Sequence, residues 1–272
     1  MVFNGYMRGR RLQLLIKQAR DLYTYKDLLM NLTFNELKLK YKNSIMGFLW
    51  SLLNPLMMLI IYSIAFKIIL RIPVENFALF VFIGLLPWMF VQGSISQSTN
   101  SIINNQNLLK KVYFPRIIIP MSVIMSNLIN FLINLIVLLA ALFIYNIEIT
   151  IAITLFPLIT FVNWLIVAGL SILLSSITVK YRDISHLVDV IFMAWFYLTP
   201  IIYPLSMVPE PYKSIIQLNP FTGVVEMYRE ILLDGKIPDQ ASILTAFLYG
   251  IMIFILGVYV FYKREKDFVE EL

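Results

Sequence analysis

From residue 45 onward the chain is a succession of apolar runs parted by short polar stretches. The runs cover 45–70, 77–103, 117–145, 149–179, 187–203 and 241–262. Most of them reach the roughly 20 residues that carry a helix across a hydrocarbon core of about 30 Å. Stretches such as IIIPMSVIMSNLINFLINLIVLLAALFIY show no alternation of apolar and polar positions. That excludes the short alternating strands, about 10 residues each, of a membrane β-barrel. The pattern predicts an all-α polytopic membrane protein with six transmembrane helices.

What lies between the runs refines this. A polar turn of a few residues around Asn146 and Glu148 makes the third and fourth spans antiparallel neighbours. The fifth span is short and holds Pro200, with Pro204 at its end, and the stretch 204–240 after it is too polar to cross yet too apolar for a free loop. Within that stretch Phe221, Val224, Val225, Tyr228 and Leu232 recur at helical spacing, with Glu226, Arg229 and Glu230 on the other face. This reads either as a re-entrant helix dipping into the outer leaflet or as a plain extracellular cap helix.

Before the first span, Thr24 with Asp27 and Thr33 with Glu36 have capping-box spacing and predict two short helices. Tyr25, Leu28, Leu29 and Leu32 share a face of the first, and Phe34, Leu37 and Tyr41 share one on the second. Lys38, Lys40 and Lys42 lead toward the membrane, as in an amphipathic basic helix in the cytoplasmic headgroup plane. Residues 1–44 are thus a cytoplasmic region with an interface helix, and 45–272 form one membrane domain. The basic N-terminus lacks the apolar core and cleavage site of a signal peptide, so the chain is expected to keep it.

Composition agrees, with 60% hydrophobic and 14% charged residues and a mean hydropathy of +0.80. The net charge of +6 matters through its distribution rather than as a nucleic-acid signal. Of the 22 lysines and arginines, 17 fall in the N-terminal region, the second and fourth loops and the C-terminus, and five on the opposite side. The positive-inside rule puts both termini in the cytoplasm.

Several kinds of chemistry are missing. There is no cysteine, hence no disulfide, thiolate metal site or cysteine nucleophile. No GxxxxGK[ST] phosphate cradle is present, so any ATP used is bound elsewhere. Ion-coupled transport needs charged groups at mid-membrane, and only Asp189, with His186 just before it, comes close. That pair leaves open an intramembrane enzyme acting on lipid-linked sugars, in which the two would serve as acid and base.

The polar groups inside the spans are neutral. Asn127, Asn130 and Asn134 fall at i, i+3 and i+7 on the third span. Gln92, Ser96 and Thr99 form a similar stripe beside Gly93. Such groups serve either contacts between helices or a hydroxyl-rich solute. Aromatic residues are dense in the first, second and fifth spans, among them Tyr62, Trp88, Phe90, Trp195, Phe196 and Tyr197. Trp88 lies about 11 residues, or roughly 16 Å, inside its span, too deep for an interfacial belt. Rings at such depth suit stacking against sugar rings.

The segment NELKLKYKNSIMGFLWSLLNPLMMLIIY (35–62) resembles the start of the polysaccharide and polyol phosphate export permeases, within the ABC-2 class of ABC transporters. NNQNLLKKVYFPRIIIP (104–120), YLTPIIYP (197–204) and LNPFTGVVEMYREILL (218–233) are similar to three further blocks of that family, in its order. The resemblance implies a half-transporter in the cytoplasmic membrane of a bacterium. Two copies form the pore, and two copies of a separate nucleotide-binding subunit hold ATP and Mg, this chain having no cofactor or enzymatic site of its own. It implies a cargo of undecaprenyl-diphosphate-linked polysaccharide, with O antigen first and teichoic acid or capsule as alternatives. The loop 104–116 would carry the coupling helix for the ATPase, at Leu108, Leu109, Lys110, Lys111, Val112, Tyr113, Phe114, Pro115 and Arg116. A short basic loop with exposed aromatics, ended by a proline, is a rigid anchor in its own right. Lys38, Lys40, Lys42 and Arg116 would meet either the lipid diphosphate or anionic membrane lipids.

Overall fold

The computed structural model describes residues 24–42, 44, 46–69, 71 and 73–271, and among them every regular element is helical. The N-terminal basic residues Arg8, Arg10, Arg11, Lys17 and Arg20 lie outside the described residues. The helices are α1 (Lys26–Tyr41), α2 (Trp50–Ile69), α3 (Phe77–Thr99), α4 (Ser101–Asn104), α5 (Gln106–Lys111) and α6 (Ile118–Ile144). They continue with α7 (Phe156–Thr178), α8 (Ile184–Leu198), α9 (Glu210–Gln217), α10 (Pro220–Leu232), α11 (Gln240–Arg264) and α12 (Phe268–Glu271). Five of these, α2, α3, α6, α7 and α11, have the length and apolarity to cross a membrane, α7 being entered through a tight turn at Ile151–Leu155.

The expected fifth span is shorter than the apolar run from 187 to 203 suggested. α8 has 15 residues, about 22 Å at 1.5 Å per residue. It stops because Thr199 precedes Pro200 and takes extended backbone, the conformation that a following proline imposes. The second span likewise ends at Thr99, four residues early, where α4 begins after Asn100.

α3 is the axis of the bundle. It is buried along most of its length and packs on α6, α7, α10, α8 and α2. α7 and α11 approach so closely that a Cβ built on Gly257 would stand 2.1 Å from the Gly169 carbonyl oxygen. Small residues at such a crossing let backbones meet where lipid offers no hydrophobic drive. α6 and α7 touch, and the turn between them places Asn146 in the left-handed region (φ 53°). Asn tolerates that conformation better than most residues.

The two capping boxes of the N-terminal region do not divide it. α1 is one helix, and Thr33 lies buried inside it with its hydroxyl donating to the Leu29 carbonyl, so the side chain bonds back along the helix instead of starting a new one. Its Tyr25, Leu28, Leu29 and Leu32 face is packed against protein, on Phe114, Ile118 and Ile119.

α10 also departs from the sequence reading. Arg229, placed on its polar face by periodicity, is only 4% exposed. Its guanidinium donates to the carbonyls of Pro200 and Ile201 and to Glu226, and lies over the Phe80 ring with 3.6 Å to the centroid. The chain turn after α8 leaves those carbonyls without helical partners, and Arg229 satisfies them. A Cβ on Gly84 would come within 3.0 Å of Nη2, so the glycine makes the room for the buried cation.

The basic segments gather at one end of the bundle. Arg116 donates to the Glu265 carbonyl and lies over Phe268, Lys180 pairs with Glu271 at 3.4 Å, and Arg264 lies over Tyr181. At the other end Thr150 donates to the Gly235 carbonyl at 2.9 Å, joining the turn after α6 to the chain before α11.

Candidate functional site

Three features share the α2, α3 and α6 side of the molecule. The first is the loop at the basic end. α4 and α5 meet at Asn105, and α5 presents Leu108 and Leu109 inward with Lys110 and Lys111 outward. Exposed aromatics were expected here, but only one is found. Tyr113 is 94% exposed, whereas Phe114 is 5% exposed and buried with Ile118 and Ile119 beneath α1. A ring projecting into solvent from a backbone braced by its neighbour is shaped for contact with another surface.

The second feature is a cavity of about 440 Å³ between α2, α3 and α6. Asn127, Asn130 and Asn134 line one wall, as their spacing predicted. Phe90 and Gln97 line the facing wall on α3, and Trp50, Ser51 and Asn54 the side of α2. Lys40 of α1 reaches the same space, donating from Nζ to Asn127 Oδ1 at 2.8 Å. Asn127 in turn donates to Gln97 Oε1 at 3.2 Å and to the Val123 carbonyl at 2.9 Å. Burial holds the Lys40 ammonium well below the ordinary lysine range, at about 8, although Glu36 one turn away opposes the fall. Burial raises Glu36 in the same way, with Lys40 opposing.

The third feature is an aromatic groove of about 630 Å³ between α2, α3 and α8. Tyr62, Trp88, Phe196 and Tyr197 line it, with Gln92, Ser96 and Asp189 as its polar members. Tyr62 stacks on Phe196 with centroids 5.6 Å apart, and Phe196 meets Tyr197 edge-on at 5.3 Å. Trp88 is 1% exposed, wedged among Phe192, Phe196 and Phe221 at 5.7 to 6.0 Å, so its depth reflects packing in the groove floor. Trp195 turns away toward Phe221 at 5.1 Å and lines neither space. Met89 and Gly93 belong to both cavities, and α2 roofs both.

Of the four expected anion contacts, Lys38 and Lys42 are exposed, while Lys40 and Arg116 are engaged within the protein. His186 and Asp189 are both exposed on α8, with no enclosed site around the pair among the described residues. Sequence reasoning missed the inward turn of Lys40 and the burial of Arg229. Gly93 and Gly84 were the available signals, since each leaves room for the polar group opposite it.

Comparison with known proteins is consistent along the chain. Residues 27–233 match the family model described as ABC-2 type transporter. The O-antigen export system permease protein RfbA of Myxococcus xanthus is 32% identical over 260 residues, covering 95% of this chain and all of the relative. A protein of the same name from Klebsiella pneumoniae is 35% identical, covering 94% and 99% of the two chains. The polysialic acid transport protein KpsM of Escherichia coli is 22% identical over 245 residues, covering 86% and 92%.

Proposed function

We propose that this chain, which belongs to the ABC-2 type transporter family, is the permease subunit of an ATP-driven exporter of lipid-linked polysaccharide, O antigen first. The observation that carries the reading is the braced loop with Tyr113 outermost, in a chain without a phosphate cradle. Such a chain needs its energy from a second subunit, and this loop is the contact best built to receive it. Full-length similarity to two O-antigen export permeases favours that cargo. The more distant polysialic acid transport protein keeps capsular polysaccharide as the second reading. Transport by a permease takes the place of the intramembrane enzyme that Asp189 and His186 had left open.

In this reading the basic end faces the cytoplasm of a bacterium, and α8 together with the following turn completes a sixth crossing of the inner membrane. α9 and α10 then lie in the outer leaflet. Two copies of the chain meet through the apolar faces of α2 and α8, where Met57, Ile61, Ile64, Val190 and Met193 are exposed. The aromatic groove then opens toward the shared axis and guides the glycan, its rings stacking on sugar faces while hydroxyls stay wet. Two ATPase subunits dock beneath, at residues 108–113. Lys38 and Lys42 meet the lipid diphosphate, and Lys40 and Arg116 position the helices around it.

The test is purification of the chain from its native membranes with whatever accompanies it, followed by an ATPase assay. A stoichiometric nucleotide-binding subunit, whose activity responds to lipid-linked glycan and is lost from the complex on Tyr113→Ala, is the expected result. A chain that purifies alone overturns the reading.

A further inference from the structure

The cavity between α2, α3 and α6 is set apart from the aromatic groove by its chemistry. Its volume of about 440 Å³ falls in the range of small-molecule sites, and amides dominate its polar lining. Asn127 and Asn134 are only 5% and 7% exposed. Asn134 donates from Nδ2 to the Asn130 carbonyl at 3.0 Å, and its buried Oδ1 has no partner among the described residues. An unpaired buried acceptor costs about 1–3 kcal/mol.

The lining also specifies what enters. An amide both donates and accepts, as a hydroxyl does, so several amides around one space match a polyol. Trp50, Phe90 and Phe131 add flat apolar surface for the C–H face of a ring. Among the described residues the lining has one cation, Lys40, which is already bonded to Asn127 and offset by Glu36. A diphosphate in a desolvated pocket needs several cations or charge-assisted donors, and the described lining does not hold them.

We propose that this cavity is a subsite for one uncharged sugar ring, held by the amides of Asn127, Asn130 and Asn134 and separate from the aromatic groove. The proposal rests on the exporter reading only for the source of the sugar.

The absence of cysteine makes a direct test available. Asn130→Cys, and Ser51→Cys as an independent reporter on the α2 side, are each made in the full complex in native membranes. Each is treated with a small water-soluble methanethiosulfonate. The probes are methyl glucoside, methyl N-acetylglucosaminide and inorganic pyrophosphate. A reporter that reacts, and whose reaction slows by about tenfold as a glycoside reaches roughly ten times its Kd, supports the subsite. Pyrophosphate is expected to leave the rate unchanged, and Asn134→Leu to remove the protection by glycoside. No reaction at either reporter, reaction indifferent to glycosides, or protection by pyrophosphate each overturns the proposal. Glycan-stimulated ATPase activity of the parent complex is read separately. Stimulation without glycoside protection removes the subsite alone, and protection without stimulation removes the exporter reading alone.

Discussion

Replacing Arg229 by methionine keeps most of the apolar stem and removes the charge. The carbonyls of Pro200 and Ile201, bonded at 2.5 and 2.7 Å, then lose their donor, as does Glu226 at 2.8 Å. Hydrogen bonds to a charged group contribute about 1.5–3 kcal/mol each, and a desolvated cation over a ring about 2 kcal/mol. These contributions share one guanidinium and do not add, so the expected loss is that of breaking a buried charge pair, about 3–5 kcal/mol. Arg229→Lys recovers less than half, because one ammonium cannot face both carbonyls and lie flat on Phe80. Gly84→Ala puts a methyl 3.0 Å from Nη2 and 3.3 Å from Val225 Cγ1, for about 1–3 kcal/mol of overpacking. Most of that cost disappears in the Arg229→Met background, where the guanidinium is gone. The assay is equilibrium unfolding in mixed micelles of rising dodecyl sulfate fraction, with the four variants compared with the parent. Arg229→Met within about 1 kcal/mol of the parent, or strict additivity with Gly84→Ala, refutes the reasoning.

Phe114→Ala opens the contact between the loop and α1 at a cost of about 3–5 kcal/mol, read as faster amide exchange across 26–41, whereas Tyr113→Ala leaves that exchange unchanged. Gly257→Ala drives α7 and α11 apart, since the added carbon would sit 2.1 Å from the Gly169 carbonyl oxygen, and it lowers the midpoint of thermal unfolding in detergent. Docking of α1 strengthens as pH rises from about 8 toward 10.5. Docked Lys40 binds its proton less tightly than undocked lysine, so the penalty for burying the charge is complete below pH 8 and fades above it. Amide protection of α1, corrected for intrinsic rate, is expected to rise between pH 7.5 and 9.5, and Lys40→Met removes that dependence.

The membrane class and the position of five long helices were legible because each depends on a run of apolar residues, and transfer free energy adds along such a run. The i, i+3, i+7 spacing of Asn127, Asn130 and Asn134 put them on one wall, as helical geometry requires. What failed were inferences from polarity to exposure. Arg229 and Lys40 are charged and yet turn inward, because the carbonyls after Thr199 and the amide of Asn127 each needed a donor. Periodicity ranks residues by hydropathy and says nothing of where an unpaired carbonyl waits. Phe114 and Tyr113 are adjacent aromatics with opposite fates, decided by α1, which comes from a distant part of the sequence.

Packing also decides which helix can move. α2 buries only Ser51 and Pro55 along its α-helical part and ends in a π-helical turn over Ser63–Ile69, yet it roofs both the amide cavity and the aromatic groove. α3, beneath it, is locked by helices on several sides. Within one copy, displacing α2 therefore exposes little new apolar surface and breaks few contacts, whereas displacing α3 would open the core. α1 precedes α2 in the chain and packs on the loop that carries Tyr113, while its Lys40 bonds to the floor of the amide cavity at Asn127. A force applied at Tyr113 reaches α1 through Phe114, and α1 can pass it either to the cavity wall or to α2. Because α2 is the cheaper element to shift, it is the one expected to open, with both cavities widening together along Met89 and Gly93.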